Sequence, residues 1–254
     1  MPDLLHVALF LVLGAIIGAL GALFGIGGGL IAIPLLSLAF GLDQQHAQGT
    51  ALAMVAPNVL IGLWNYAQHR DFDRRVALLM AAAAVPFTFL GAFVAVHVSG
   101  AALRIAFGCF LAVIAITFAI RALRVPRRAS ARSAIRYDWR WTAPIGAIGG
   151  ALSGIFSVGG AVFAVPMLSV FWGYGQATAQ GLSLGLVAPG TVVSILTYAH
   201  AGDVAWGIGL PLAAGGMFSV RYGVRLAHRL PERTLRLLFS VLIAASSAAL
   251  LLRR

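Results

Sequence analysis

Long apolar runs separated by short polar turns dominate the chain. Runs close to membrane length lie at 4–24, 47–68, 76–96, 101–120, 179–199, 204–220 and 235–252. A helix crosses a bilayer core with about 20 such residues. A buried soluble core explains one or two runs of this length, not this many. Two shorter runs, 28–40 and 160–172, each follow an apolar segment across a glycine-rich break, after 4–24 and after 141–156. The pattern predicts an all-α polytopic membrane protein. Each half opens with a glycine-broken helix or hairpin, followed by a polar turn and three helices: 47–68, 76–96 and 101–121, then 179–200, 204–224 and 235–252.

The two halves are related in sequence. Phe24-Gly25-Ile26-Gly27-Gly28-Gly29 returns 132 residues later as Phe156-Ser157-Val158-Gly159-Gly160-Ala161. At the same offset Pro34 returns as Pro166, and Ala47-Gln48-Gly49 as Ala179-Gln180-Gly181. Val55-Ala56-Pro57 returns as Val187-Ala188-Pro189, Tyr66-Ala67 as Tyr198-Ala199, and Asp71 as Asp203. One register is kept from Gly14 to Ala112, which shared apolar composition does not produce. The division is a first repeat over 1–121, a basic linker over 122–140 and a second repeat over 141–254. Two homologous membrane halves with interrupted helices are the signature of a secondary transporter.

Composition agrees with the membrane reading. The chain is 61% hydrophobic and 10% charged, against about 25% charged in soluble domains. The first run has no convincing cleavage site and recurs inside the chain, so it reads as structure and not as a leader. Cys109 is the one cysteine, which excludes an internal disulfide and a cysteine-clustered metal site. The net charge of +11 comes from arginine alone, and seven arginines lie at 121, 124, 127, 128, 132, 136 and 140. Arginines beside spans mark the cytoplasmic side and anionic headgroups. No folded basic domain or aromatic interleaving accompanies them, so nucleic acid is not the expected partner.

Loop charges speak to orientation. The turn at 69–75 holds Arg70, Arg74 and Arg75, whereas the matched turn at 201–207 holds none and keeps Asp203. The bias reverses at 226–236, with Arg229, Arg233 and Arg236, against Arg104 alone at 94–104. Opposite biases fit inverted repeats with a cytoplasmic linker and both termini outside, although Arg253 and Arg254 oppose that placement of the C-terminus.

The breaks are the leading site candidates. Non-helical backbone at membrane depth is tolerated where it is buried in protein or lines a cavity. A helix restarting after Gly27, Gly28 and Gly29, or after Gly159 and Gly160, aims free N–H groups and a positive dipole end into the protein, which suits an anion. Close helix packing by small residues is the competing account. Gln48 with Thr50, and Gln180 with Ser183, supply matched amide and hydroxyl donors, the alternatives being caps or interhelical bonds. Asn58 stands where the second half has Gly190 and is a ligand or a packing bond. His46, His69, His97, His200 and His228 lie at helix ends, as interfacial residues or proton carriers. Asp71 and Asp203 read as helix caps or arginine partners, and Tyr66 and Tyr198 as members of an interfacial aromatic belt.

No enzyme constellation, metal-ligand spacing or cofactor motif is visible. Gly25-Ile26-Gly27-Gly28-Gly29 lacks the strand and the acid of a dinucleotide fingerprint. At Gly25 to Pro34, and again at Ala47-Gln48-Gly49-Thr50-Ala51-Leu52, the chain resembles the sulfite exporter TauE/SafE family, also called the 4-toluene sulfonate uptake permease family. The resemblance covers essentially the whole chain, including its duplication. The chain departs from the family in having Thr50-Ala51-Leu52 and Leu182-Ser183-Leu184 where Thr-Ser-Leu is frequent, and in its degraded second glycine motif. The resemblance implies transport of a sulfur-containing anion such as sulfite, thiosulfate or an organosulfonate, driven by an ion gradient, in a bacterial cytoplasmic membrane. An anion channel is the nearest alternative and a membrane assembly protein the more distant one. A homo-oligomer is compatible with either.

Overall fold

The structure is a computed structural model that describes residues 4–24, 26–68, 72–123, 138–158, 160–227 and 232–252. The first half comprises α1 (Leu4–Phe24), α2 (Gly29–Ala39), α3 (Gln44–Ala67), α4 (Arg74–His97) and α5 (Gly100–Leu123). A 3₁₀ turn, Trp139–Thr142, leads into α6 (Ala143–Phe156), α7 (Gly160–Phe171), α8 (Gln176–His200), α9 (Trp206–Ala227) and α10 (Glu232–Leu252). The described residues contain no strand. α1, α3, α4, α5 and α8 are long and apolar enough to cross a bilayer. Most of the linker, at 124–137, lies outside the described residues.

The helices match the apolar runs to within a few residues. The starts of α3 and α8 each come three residues before the apolar run. Asp43 caps α3 by accepting from the His46 N–H at 2.8 Å, which satisfies an otherwise orphaned donor. The helix therefore opens on Gln44 and Gln45, ahead of the apolar run. α8 opens equivalently at Gln176.

The broken segment of the first half is a hairpin. α2 has 11 residues, a rise of about 17 Å and roughly half of the hydrocarbon core. The Phe40 ring just past its end lies 5.1 Å from Phe10 in α1, so α2 returns beside α1. Gly27 and Gly28 make the reversal with φ of 71° and 93°, a region that costs other residues about 1–2 kcal/mol. Helix geometry resumes as Ile31 and Ala32 donate to the Gly28 carbonyl at 3.1 and 3.0 Å.

The halves interlock. α1 packs along α9, and α4 along α6, so the first helix of each half lies on the fourth helix of the other. Gly14 meets the backbone of Leu212 and Gly18 that of Gly216. At the equivalent positions Gly146 meets Met80 and Gly150 meets Ala84. Small residues allow this backbone approach, which drives helix association where lipid is as apolar as the side chains. Between these pairs lie α3 and α8, whose cross-contacts make them antiparallel: Gln48 near the start of α3 bonds Tyr198 near the end of α8, and Tyr66 near the end of α3 bonds Gln180 near the start of α8.

Charge separates along the helices. The Gln45 side chain donates to the Val98 carbonyl, and the Ala205 N–H to Thr50. The α4–α5 and α8–α9 turns therefore share one end of the molecule with the start of α3. That end holds Asp43, His46, His97, Arg104, His200 and Asp203. Arg74 and Arg75 begin α4 at the other end, where the turn carrying Arg140 packs against α4.

Candidate functional site

The two matched Gln–Tyr pairs sit beside the two breaks. Tyr198 Oη donates to Gln48 Oε1 at 2.6 Å, and Tyr66 Oη to Gln180 Oε1 at 3.1 Å. Each bond joins one half to the other at equivalent positions. Gln180 Nε2 donates in turn to the Phe24 carbonyl at 3.2 Å, at the edge of the first break. Both tyrosines are buried, which corrects their assignment to an interfacial belt. A hydroxyl inside a membrane protein needs a partner, and the opposite half provides it.

The breaks themselves meet. Gly29 lies directly against Val158 of the second break. A Cβ on Gly27 would approach Val59 Cγ2 to 2.7 Å and Val55 Cγ1 to 3.0 Å; one on Gly28 would reach Ile17 and the Met54 Cε at 3.1 Å. Gly160 packs on the Gly149 carbonyl. Gly159 lies outside the described residues. The second reversal is made by Ser157 at φ 61°, the one described non-glycine residue with positive φ.

The polar candidates divide by what they already bond. Ser183 Oγ donates to the Ala179 carbonyl at 2.7 Å within α8, and Thr50 Oγ1 accepts from the Ala205 N–H at 3.0 Å. Both are satisfied, as is Gln180. Gln48 keeps a buried Nε2 without a partner, and Asn58 is 3% exposed with neither Oδ1 nor Nδ2 bonded. Such groups cost about 1–3 kcal/mol each, so their retention calls for an explanation. Asn58 lines a cavity of about 10 Å³ with Gly21, Gly27, Gly62 and Tyr66, on the scale of one water molecule. Gln44 and Ser194 are also buried with unbonded side-chain polar atoms, and apolar patterning missed them. The recurrence of Gln44 as Gln176 was the available signal.

Asp203 pairs with His46, not with arginine or as a cap. His46 Nδ1 lies 2.9 Å from Asp43 Oδ2 and 3.7 Å from Asp203 Oδ1. Burial raises the Asp203 carboxyl above the ordinary carboxylate range; His46 opposes this and Asp43 adds to it. His97 Nδ1 bonds its own helix at the Phe93 carbonyl. His69, Asp71 and His228 lie outside the described residues. No cluster of three metal-ligating side chains occurs among the described residues.

Chemically, the centre offers neutral donors and helix-start N–H groups in an apolar shell, chemistry that suits an anion. Comparison with known proteins gives the family and the class of relative. The sequence profile described as sulfite exporter TauE/SafE matches residues 10–250. A probable membrane transporter protein of Methanocaldococcus jannaschii is 26% identical, over 98% of this chain and 97% of its own length. Similar proteins carrying that description in Bacillus subtilis and Xylella fastidiosa are 22% and 28% identical, the first over 92% of this chain and 93% of its own length, the second over 91% and 90%. No solved structure matches.

Proposed function

The chain belongs to the sulfite exporter TauE/SafE family and is a membrane transporter, and from that premise we propose that its cargo is a small sulfur-containing anion such as sulfite, thiosulfate or an organosulfonate. The observation that carries the reading is Asn58, buried with both polar atoms unbonded beside the glycine reversal that restarts α2. The Asn58 carboxamide and the first N–H groups of α2 supply neutral ligands to an oxyanion without the desolvation penalty of a buried cation.

Alternating access fits this packing better than an open channel. Val55, Val59, Met54 and Val158 close on the breaks, and the adjoining cavity of about 10 Å³ is too small for an oxyanion, so the cargo enters as the halves rock. Antiparallel α3 and α8 support inverted halves, the architecture in which such rocking exchanges two similar states. The arginine-bearing end, with the linker 122–140 beside anionic headgroups, is the cytoplasmic one in a bacterial inner membrane.

The test is a thermal-shift panel on purified protein with sulfite, thiosulfate, sulfoacetate, taurine, sulfate and chloride, followed by uptake of the stabilising anion into proteoliposomes. A ligand of the folded state raises apparent stability. Stabilisation by a sulfur anion but not by chloride, with saturable uptake, supports the reading. No stabilisation and no uptake with any of them rejects the cargo class, and flux at channel rates rejects the carrier.

A further inference from the structure

We propose that Asp43, His46 and Asp203 form a proton-binding latch that fastens the α8–α9 turn of the second half onto the start of α3 in the first. The groups come from both halves. Asp43 caps α3, His46 lies in its first turn, and Asp203 lies on the turn between α8 and α9. One imidazole nitrogen stands 2.9 Å from one carboxylate and 3.7 Å from the other. The same turn is seated by the bond from the Ala205 N–H to Thr50 Oγ1 and by the Asp203 carbonyl against Gly49.

The proton balance follows from the charges. With a proton on the ring, one cation stands between two anions and the cluster carries a net charge of minus one. When the proton leaves, two carboxylates face a neutral ring at a half-buried contact and repel. Burial of Asp203 acts with the same sign, favouring the protonated acid in the docked turn. A protonated ring holds the two carboxylates together and a neutral ring leaves them facing each other, so docking is favoured at low pH and weakens as pH rises. Among the described residues, the other titratable or charged groups on the helices around this end are His200 on α8, His97 on α4, Arg104 on α5 and His6 on α1. Among the described residues, the ion pairs of Asp43, His46 and Asp203 are internal to the cluster.

The latch is one-sided. The positions matching Asp43, His46 and Asp203 in the repeat are Gly175, Thr178 and Asp71, so neither the imidazole nor the α3-capping carboxylate recurs at its matched position. Nearly symmetric halves give two access states with similar contacts. A proton site at one gate makes them unequal and pH-dependent, which rests on the carrier reading above; proton binding itself does not.

Hydrogen exchange of the full-length protein in detergent, at pH values from about 5 to about 8.5, tests the latch without any cargo, so its failure is separate from failure of the carrier reading. After correction for intrinsic rates, protection at amides 203–205 should fall with rising pH, by up to about tenfold per pH unit for one linked proton. Asp203→Asn and His46→Gln should each flatten that dependence while exchange elsewhere keeps its wild-type pattern. Protection that is independent of pH in the wild type, or an unchanged dependence in either variant, overturns the latch.

Discussion

Tyr198 and Gln48 are 150 residues apart in the chain and 2.6 Å apart in the fold, the hydroxyl of one donating to the carboxamide oxygen of the other. Tyr66 and Gln180 repeat the bond in the opposite sense at 3.1 Å. Tyr198→Phe leaves the Gln48 oxygen buried and unbonded, and should lower stability by about 1–3 kcal/mol. Gln48→Leu added to it removes both partners and should recover most of that loss. Thermal unfolding of wild type and the two variants in detergent checks this; a Tyr198→Phe protein as stable as wild type shows that the bond does not hold the halves.

Asn58 should behave in the opposite way. Its polar atoms bond nothing in the protein, so Asn58→Ala removes an unsatisfied amide and should leave stability unchanged or raised. Anion affinity should fall about 10- to 100-fold, the equivalent of one lost buried hydrogen bond. Titration of the stabilising anion, read by thermal shift, gives both numbers. Wild-type affinity in Asn58→Ala removes this residue from the site.

The α4–α6 contact allows no side chain at Gly150, where a Cβ would run into the backbone of Ala84. Gly150→Ala should cost about 1–3 kcal/mol by overpacking. Gly207, in the first turn of α9, faces open space, so Gly207→Ala should be neutral or slightly stabilising. Equal unfolding temperatures for the two variants reject tight α4–α6 packing.

Orientation is open to labelling in intact cells. A cysteine at Ser130, in a Cys109→Ser background, should resist an impermeant thiol reagent until the cells are opened, because the arginine-bearing end is retained inside. A cysteine at Ala201, an exposed position at the acidic end, should react at once. The reverse pattern inverts the assigned sidedness.

The sequence by itself determined the helices, their number in each half and the two breaks, because apolar length and glycine act locally and the duplication displayed them twice. It also pointed to Gln48, Gln180 and Asn58 as polar residues that a membrane interior must explain. It could not say which of them were already satisfied, since a hydrogen bond between Gln180 and Phe24, or between Thr50 and Ala205, joins residues more than 150 positions apart. Only the tertiary structure decided that the tyrosines face inward, that each half lends its first helix to the other, and that Asp203 meets a histidine. Those outcomes depend on how two similar bundles dock. Docking is set by matching small residues and polar groups across an interface, which no periodicity along one strand of sequence records.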